Sequence, residues 1–340
     1  MSTDWIIDSG YLPRSILRMG IRRLIAQRAA EITAPSREAA YERKMKFVSD
    51  LREMPIAIET EAANAQHYEV GTEFLAHFLG PRLKYSCPLY AEPSTSLAEA
   101  EEAMLELYVE RADVEDGMAI LDIGCGWGSV SIYLAQKFPK AQVTALSNSQ
   151  TQGDFITKRA KELGIANITN VVANVVDHEF IASSFDRAIS IECFEHMKNY
   201  EKLLAKVSGA LKPSGKLFVQ ILSHKDSPYH FELDDGWMSK YFFTGGTMPS
   251  ADLFLYFQDN LRVKRQWWIS GKNYARACQQ WLENWLRDGK DFWPHLVSMY
   301  GKEDASKWYY RWQVYFMACE ELFAYEDGET WGLSQYLFEK

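Results

Sequence analysis

The stretch Ala119-Ile120-Leu121-Asp122-Ile123-Gly124-Cys125-Gly126-Trp127-Gly128-Ser129 sets a short apolar run directly against three alternating glycines. An apolar run of this length bounded by glycine reads as a buried strand, and the chain after Ser129 returns to helical spacing, which predicts strand, tight turn and helix. Glycine accepts positive φ and has no Cβ, so a turn built this way lets a ligand approach the backbone closely. A dinucleotide loop would carry its third glycine where Ser129 stands and would want an acid for the ribose about 20 residues on. The chain offers Ser147, Asn148 and Ser149 there. A glycine-rich turn with a purely structural purpose is the bland alternative.

Working outward, Gln142 to Leu146, Ile168 to Val172, Phe185 to Ile191 and Gly215 to Ile221 read as further short strands with helical patterns between them. Strand and helix alternating at this spacing predict a mostly parallel sheet with right-handed crossovers, and such sheets bind ligands at the carboxyl ends of their strands. Residues 1 to 115 read as helical, with Glu99 to Arg111 the clearest run of helix formers. After Leu222 the alternation stops. Lys272 to Arg287 and Ala305 to Phe323 read as helices, and Leu261 to Ile269 and Thr330 to Phe338 as late strands. The expected organisation is an N-terminal helical cap (1–115), an α/β ligand-binding core (116–224), and helical insertions with the last two strands of the core sheet (225–340).

The 340 residues carry 37 basic and 46 acidic side chains, a net charge of -9, which argues against a nucleic-acid partner. No window approaches the roughly 18 uninterrupted apolar residues of a membrane span, and Asp4 and Asp8 sit where a secretory signal would be basic. The five cysteines are scattered, with no CxxC pair and no metal-ligand spacing, which fits free thiols, a cytoplasmic setting and no metal. Between Tyr11 and Ala30 five arginines (Arg14, Arg18, Arg22, Arg23, Arg28) interleave with apolar residues at helical spacing. Such a helix can rest on an anionic membrane; the bland alternative is a cap helix packed on the acidic body. Aromatic residues make up 14% of the chain, and nine of the eleven tryptophans lie beyond residue 230, so the rings are a regional feature.

The spacing Asp122-x-Gly124-x-Gly126-x-Gly128 resembles the first motif of class I S-adenosylmethionine-dependent methyltransferases. Read with Lys84-Tyr85-Ser86-Cys87, Ser190-Ile191-Glu192-Cys193-Phe194-Glu195-His196-Met197 and Tyr241-Phe242-Phe243-Thr244-Gly245-Gly246-Thr247-Met248-Pro249-Ser250, it resembles the group holding cyclopropane-fatty-acyl-phospholipid synthases and the small-amine N-methyltransferases related to coclaurine N-methyltransferase. Met197-Lys198-Asn199-Tyr200, Leu255-Tyr256-Phe257-Gln258 and Tyr300-Gly301-Lys302 are similar to the amine branch. The resemblance implies a Rossmann-like class I core with a mostly parallel seven-stranded sheet, S-adenosylmethionine as cofactor, and methyl transfer to a small, aromatic or tetrahydroisoquinoline-like amine of the kind found in alkaloid biosynthesis. Lipid methylene or methyl transfer is the alternative, supported by the basic helix, and a non-catalytic cofactor-binding protein is a third reading. A homodimer stays open.

For the cofactor the resemblance carries over Tyr85, Ser86, Gly124, Gly126, Asn148, Gln152 (with Gln150 as its alternative) and Asn174. The family's acid for the adenine amine is an amide at Asn174; its oxygen can accept the same hydrogen bond without a carboxylate's charge. For the amine it carries over Trp312 and Tyr315, with Phe231, Tyr241, Phe254 and Trp331 as neighbours. Cys87, Glu195, His224 and Tyr274 match residues that hold a bicarbonate base in cyclopropane synthases and are shared by the amine branch. An ammonium has no lone pair with which to attack, so a base beside the nitrogen is useful. Glu195 and His196, just beyond the expected fourth strand, are assigned to catalysis, with Glu192 as a supporting carboxylate. The bland alternative for these acids is a helix start after a strand.

Overall fold

In the computed structural model, which describes residues 4–58, 72–231, 236–289 and 291–340, each expected strand forms. They are β1 (Ala119–Ile123), β2 (Gln142–Ser147), β3 (Ile168–Val172), β4 (Phe185–Ile191), β5 (Leu211–His224), β8 (Arg262–Ile269) and β9 (Trp331–Glu339), with β6 (Tyr229–His230) and β7 (Thr247–Met248) as a separate ribbon. The seven-stranded sheet runs β3-β2-β1-β4-β5-β9-β8. β1 to β5 pair in parallel, and β9 runs antiparallel between β5 and β8. β5 starts four residues earlier than the apolar run indicated, where Leu211 pairs with Phe185 ahead of an irregularity in register.

The order reverses between β1 and β4: the chain goes from β1 outward to β3, then returns to the other side. Helices leaving neighbouring strands in opposite directions open a crevice at the carboxyl ends of those two strands. The glycine turn and the Glu192–His196 segment lie there.

Alternate residues on the strands face two apolar layers. Ile120, Ile189 and Phe218 join one cluster, Leu121, Ala188, Leu217 and Val219 the other. The first cluster draws Ile25 and Tyr108 from the first 115 residues and Trp281, Trp285 and Trp312 from the last third, so all three stretches share one core. Residues 1–115 are less helical than their pattern suggests. Leu97–Ala112 forms a helix behind a capping box in which Ser96 and Glu99 satisfy each other's backbone N–H groups, a device worth about 1 kcal/mol. The preceding stretch 80–96 is irregular and carries Tyr85–Cys87 across to the end of β4.

The arginine-rich segment forms the helix Arg14–Ile32, which lies along the helix Trp293–Ala324. Arg18 donates to Glu320 and Glu321, each at 2.7 Å, and Arg22 to Glu321 at 2.6 Å, so these two cations are spent on the body of the protein. Ile16, Met19 and Leu24 stay exposed. Among the described residues no helix is long and apolar enough to cross a membrane. The helix Trp293–Ala324 breaks at Gly301, whose φ is +78°.

Candidate active site

Two cavities meet at the crevice, and His196 lies on the wall of both. The first is built on the glycine turn. Gly124 and Gly126 take φ of +75° and +53°, and the N–H groups of Gly124 and Cys125 donate to the carbonyl of Leu146 at 2.9 and 3.0 Å, pinning the turn to the end of β2. A Cβ on Gly124 would come within 2.4 Å of the Cys193 sulfur, whereas one on Gly126 would meet nothing within 4 Å. Gly124 therefore serves close packing of the two strand ends, and Gly126 leaves room for a ligand. Asp122, at the head of the turn, is buried and accepts from the Ser131 hydroxyl at 2.5 Å; burial pushes its carboxyl up to about 6.

Gly124, Gly126, Asn148, Gln152 and Asn174 line this cavity together, with Leu146, Val175 and Met197 as apolar walls. Gln152 accepts from the Ser147 hydroxyl at 2.6 Å through Oε1, while its Nε2 is buried with no hydrogen-bond partner. Two helical positions turn a side chain by about 200°, and Gln150 accordingly points outward and bonds Asp154 at 2.7 Å. Of the two, Gln152 is the one on the cavity wall. The oxygen of Asn174 accepts from the N–H of Val176 at 3.0 Å and keeps one lone pair for a ligand. An orphaned buried donor, an open glycine and an apolar slot fit S-adenosylmethionine: polar contacts for its amino-acid and ribose parts and a dry slot for its base.

Tyr85 and Ser86 fall elsewhere. Ser86 is buried off both cavities and accepts from Lys84 Nζ at 2.6 Å. Tyr85 stands on the wall of the second cavity with its hydroxyl donating to that of Tyr315 at 3.2 Å.

The second cavity holds about 840 Å³ of open space, its mouth included. Glu192, Glu195 and His196 form one wall, and rings form much of the rest: Tyr85, Phe231, Phe243, Tyr274, Tyr315 and Phe323. Glu192 directly follows β4 with φ of +50°, a left-handed conformation that costs a glutamate about 1–3 kcal/mol and tends to mark functional sites. Its Oε1 accepts from the Cys87 N–H at 2.9 Å and from Gln220 Nε2 at 2.8 Å, and its Oε2 from the Tyr274 hydroxyl at 2.8 Å. Burial raises its carboxyl above the ordinary range, and the Lys84 ammonium and these donors oppose that rise in part. Glu195 is 1% exposed. Its Oε1 accepts from the Leu222 N–H at 2.7 Å and its Oε2 has no partner. Burial, then the Glu192 charge, push its carboxyl well above the ordinary range.

Five residues expected at the amine stand away from this cavity. Trp312 is fully buried beneath Phe242, and its Nε1 donates to the Tyr300 hydroxyl at 3.2 Å. Tyr241 donates to Asp4 at 2.6 Å under the Arg311 guanidinium, which ties it to the N-terminal helix Asp4–Asp8. Phe254 packs on Tyr200 and Phe338 in the opposite apolar layer. His224 ends β5 as a turn cap, its Nδ1 accepting from the N–H groups of Asp226 and Ser227 at 3.0 and 2.8 Å. Its ring meets Trp331 edge-on, and burial pulls its pKa down to about 4. Trp331 is also core and donates to the Tyr229 hydroxyl at 3.2 Å. Of the bicarbonate-type set, Cys87 and Tyr274 converge on Glu192 rather than on Glu195, and His224 joins neither.

The wall also includes Ala318, Cys319 and Leu322, one face of the Tyr315 helix, and Cys278, four residues after Tyr274. Helical spacing from Tyr315 and Tyr274 could have found them.

A parallel sheet with this order, a glycine turn at its switch point and a second cavity sharing a wall with the first define an S-adenosylmethionine-dependent methyltransferase. Residues 57–332 match the family described as mycolic acid cyclopropane synthetase, and the chain belongs to it. Within that family it is 37% identical over 340 residues to (S)-coclaurine N-methyltransferase of Thalictrum flavum subsp. glaucum, covering 98% of this chain and 94% of the other. It is 28% identical over 268 residues to the cyclopropane-fatty-acyl-phospholipid synthase of Escherichia coli K12, covering 78% and 65%. A coclaurine N-methyltransferase crystal structure bound to N-methylheliamine and S-adenosylhomocysteine superposes with a TM-score of 0.95 at 37% identity, covering 98% and 97%. The cyclopropane synthase of Mycobacterium tuberculosis gives 0.69 at 21% identity, covering 84% and 99%, and shares the fold. The chain is an S-adenosylmethionine-dependent N-methyltransferase of the coclaurine N-methyltransferase kind.

Proposed function

We propose that the acceptor is a small aromatic secondary amine of the tetrahydroisoquinoline type, with Glu195 and His196 handling the amine proton. The observation that carries this is the unpartnered Glu195 Oε2, buried on the wall of a ring-lined cavity. Rings stack on an arene and turn their faces to a cation, and a carboxylate accepts a hydrogen bond from such a cation. Coclaurine N-methyltransferase, the relative with N-methylheliamine bound, supports the amine class.

When bound, S-adenosylmethionine supplies a methyl carbon already activated by its sulfonium, so positioning and proton control are what the protein adds. Burial raises the basicity of Glu195 toward that of an alkylamine, which makes it a better matched proton acceptor than an ordinary carboxylate. The ammonium gives its proton to the Glu195–His196 pair, the freed lone pair forms the N–C bond, and the C–S electrons leave with sulfur. The product leaves as an ammonium carrying its own remaining N–H proton, and the proton taken up by the Glu195–His196 pair is released to water before the next turnover. Free thiols at all five cysteines support a cytoplasmic setting.

The test is methyl-labelled cofactor with two panels, cyclic and phenylalkyl amines and unsaturated phospholipid vesicles. Label in tetrahydroisoquinolines is expected; label confined to lipid would overturn the reading.

A further inference from the structure

Glu192 is reached from the far side of the sheet by a chain of oriented side chains. Arg111, near the end of the helix Leu97–Ala112, lays its guanidinium over the Trp267 ring at 4.8 Å and donates to Gln335 Oε1. Gln335 Nε2 donates to Gln220 Oε1 at 2.6 Å, and Gln220 Nε2 donates to Glu192 Oε1 at 2.8 Å. Gln220 and Gln335 are opposite each other on β5 and β9, and both are fully buried. Two fully buried glutamines side by side on β5 and β9 add nothing to apolar packing, and each must find partners or cost stability.

The direction of the chain is dictated by its ends. Arginine can only donate, so Gln335 must turn its oxygen to Arg111 and its amide nitrogen inward; Gln220 must follow, and Glu192 is met by a donor. Lys84, 1% exposed, strengthens the same polarity: its ammonium donates to Ser86 Oγ, to the Cys87 carbonyl at 2.8 Å and to the Tyr108 hydroxyl at 2.9 Å, close enough to Glu192 to interact electrostatically.

We propose that Arg111, Gln335 and Gln220 are positioning residues of the methyl transfer, a buried one-way relay that keeps Glu192 an ionised acceptor facing the amine cavity while Glu195 exchanges the proton. This rests on the reading that Glu192 and Glu195 serve the amine. The charge on Glu192 pushes the Glu195 carboxyl up and so strengthens Glu195 as the base that takes the amine proton; the donors of the relay keep that charge on Glu192.

The experiment is the pH profile of kcat/KM for 1,2,3,4-tetrahydroisoquinoline in Arg111→Leu, Arg111→Lys, Gln335→Leu and Glu192→Gln. A donor stabilises the charged carboxylate, so losing it raises the pKa of Glu192 and moves the acid limb to higher pH. A shift of roughly one unit is expected for Gln335→Leu, a smaller one for Arg111→Leu, and a near-parental profile for Arg111→Lys, which still donates. Damage that is merely structural would lower the whole curve without moving it. Arg111 is only partly buried, so its variants test the relay even where a core substitution unfolds the chain. Unmoved limbs in Arg111→Leu and Gln335→Leu, with the limb abolished in Glu192→Gln, overturn the relay alone. A limb that survives in Glu192→Gln overturns the role of Glu192 in the amine site and the relay with it.

Discussion

The two cavities share His196 and little else. The cofactor side is made by neighbours in sequence: a glycine turn pinned to β2, then side chains from the first residues after β2 and β3. The amine side gathers Tyr85, Glu195, Phe231, Tyr274 and Tyr315 from positions hundreds of residues apart. One is shaped by backbone geometry and a single orphaned amide; the other by rings and two buried carboxyls, one with three donors and one with a single donor. The lesson is that binding the common donor needs only local chain geometry, whereas choosing the acceptor and moving its proton needs long-range assembly.

If that division holds, Glu195→Gln removes the proton acceptor and leaves the cofactor cavity untouched. Its kcat should fall by about 10² to 10³, with S-adenosylhomocysteine affinity unchanged by calorimetry; equal losses in both would break the division. Gly124→Ala tests the other side. The left-handed backbone and the overlap with Cys193 should cost about 2 kcal/mol or more, read as a lower Tm with weaker cofactor binding, while Gly126→Ala, with open space before it, should cost only about 1 kcal/mol. Gln152→Leu should raise the cofactor Kd about tenfold, the worth of one buried donor, and leave kcat at saturation near parental. The smallest change runs the other way: Asn174→Asp keeps the bond to Val176 and adds charge toward an adenine amine, so the cofactor Kd should fall by about two- to fivefold in calorimetric titration.

The same division explains what could be read in advance. The sheet and the glycine turn were legible because each depends on a short run of chain and its period, and the family resemblance pointed to Asn148, Gln152 and Asn174, which stand on the cavity wall after β2 and β3. Glu192, Glu195 and His196 were legible because they directly follow a strand whose end lies at the crevice. Trp312 and Tyr315 share a helix face but differ in depth, and only the packing of Phe242 on both shows that Trp312 is core. His224 misleads because the last residue of a strand can turn back to cap its own loop. Phe231 came with the resemblance and stands on the cavity wall, whereas Phe243 reaches it from irregular chain with no period to read. Gln220 left a faint signal, a polar residue between Val219 and Ile221, and Gln335 a fainter one beside Ser334.

β9 enters the sheet between β5 and β8, and synthesis delivers it after both of them. Until those nine residues emerge, β5 presents an unpaired edge, β8 has no partner in the sheet, and the Arg14–Ile32 helix, made early, waits for Glu320 and Glu321. From the completion of β5 at His224 until β9 begins at Trp331, a nascent chain of this protein therefore carries an open, apolar sheet edge, a state that invites wrong pairing. β9 closes the sheet and brings in Gln335 at the same moment, so a chain cut before Trp331 would lose folding and catalytic competence together.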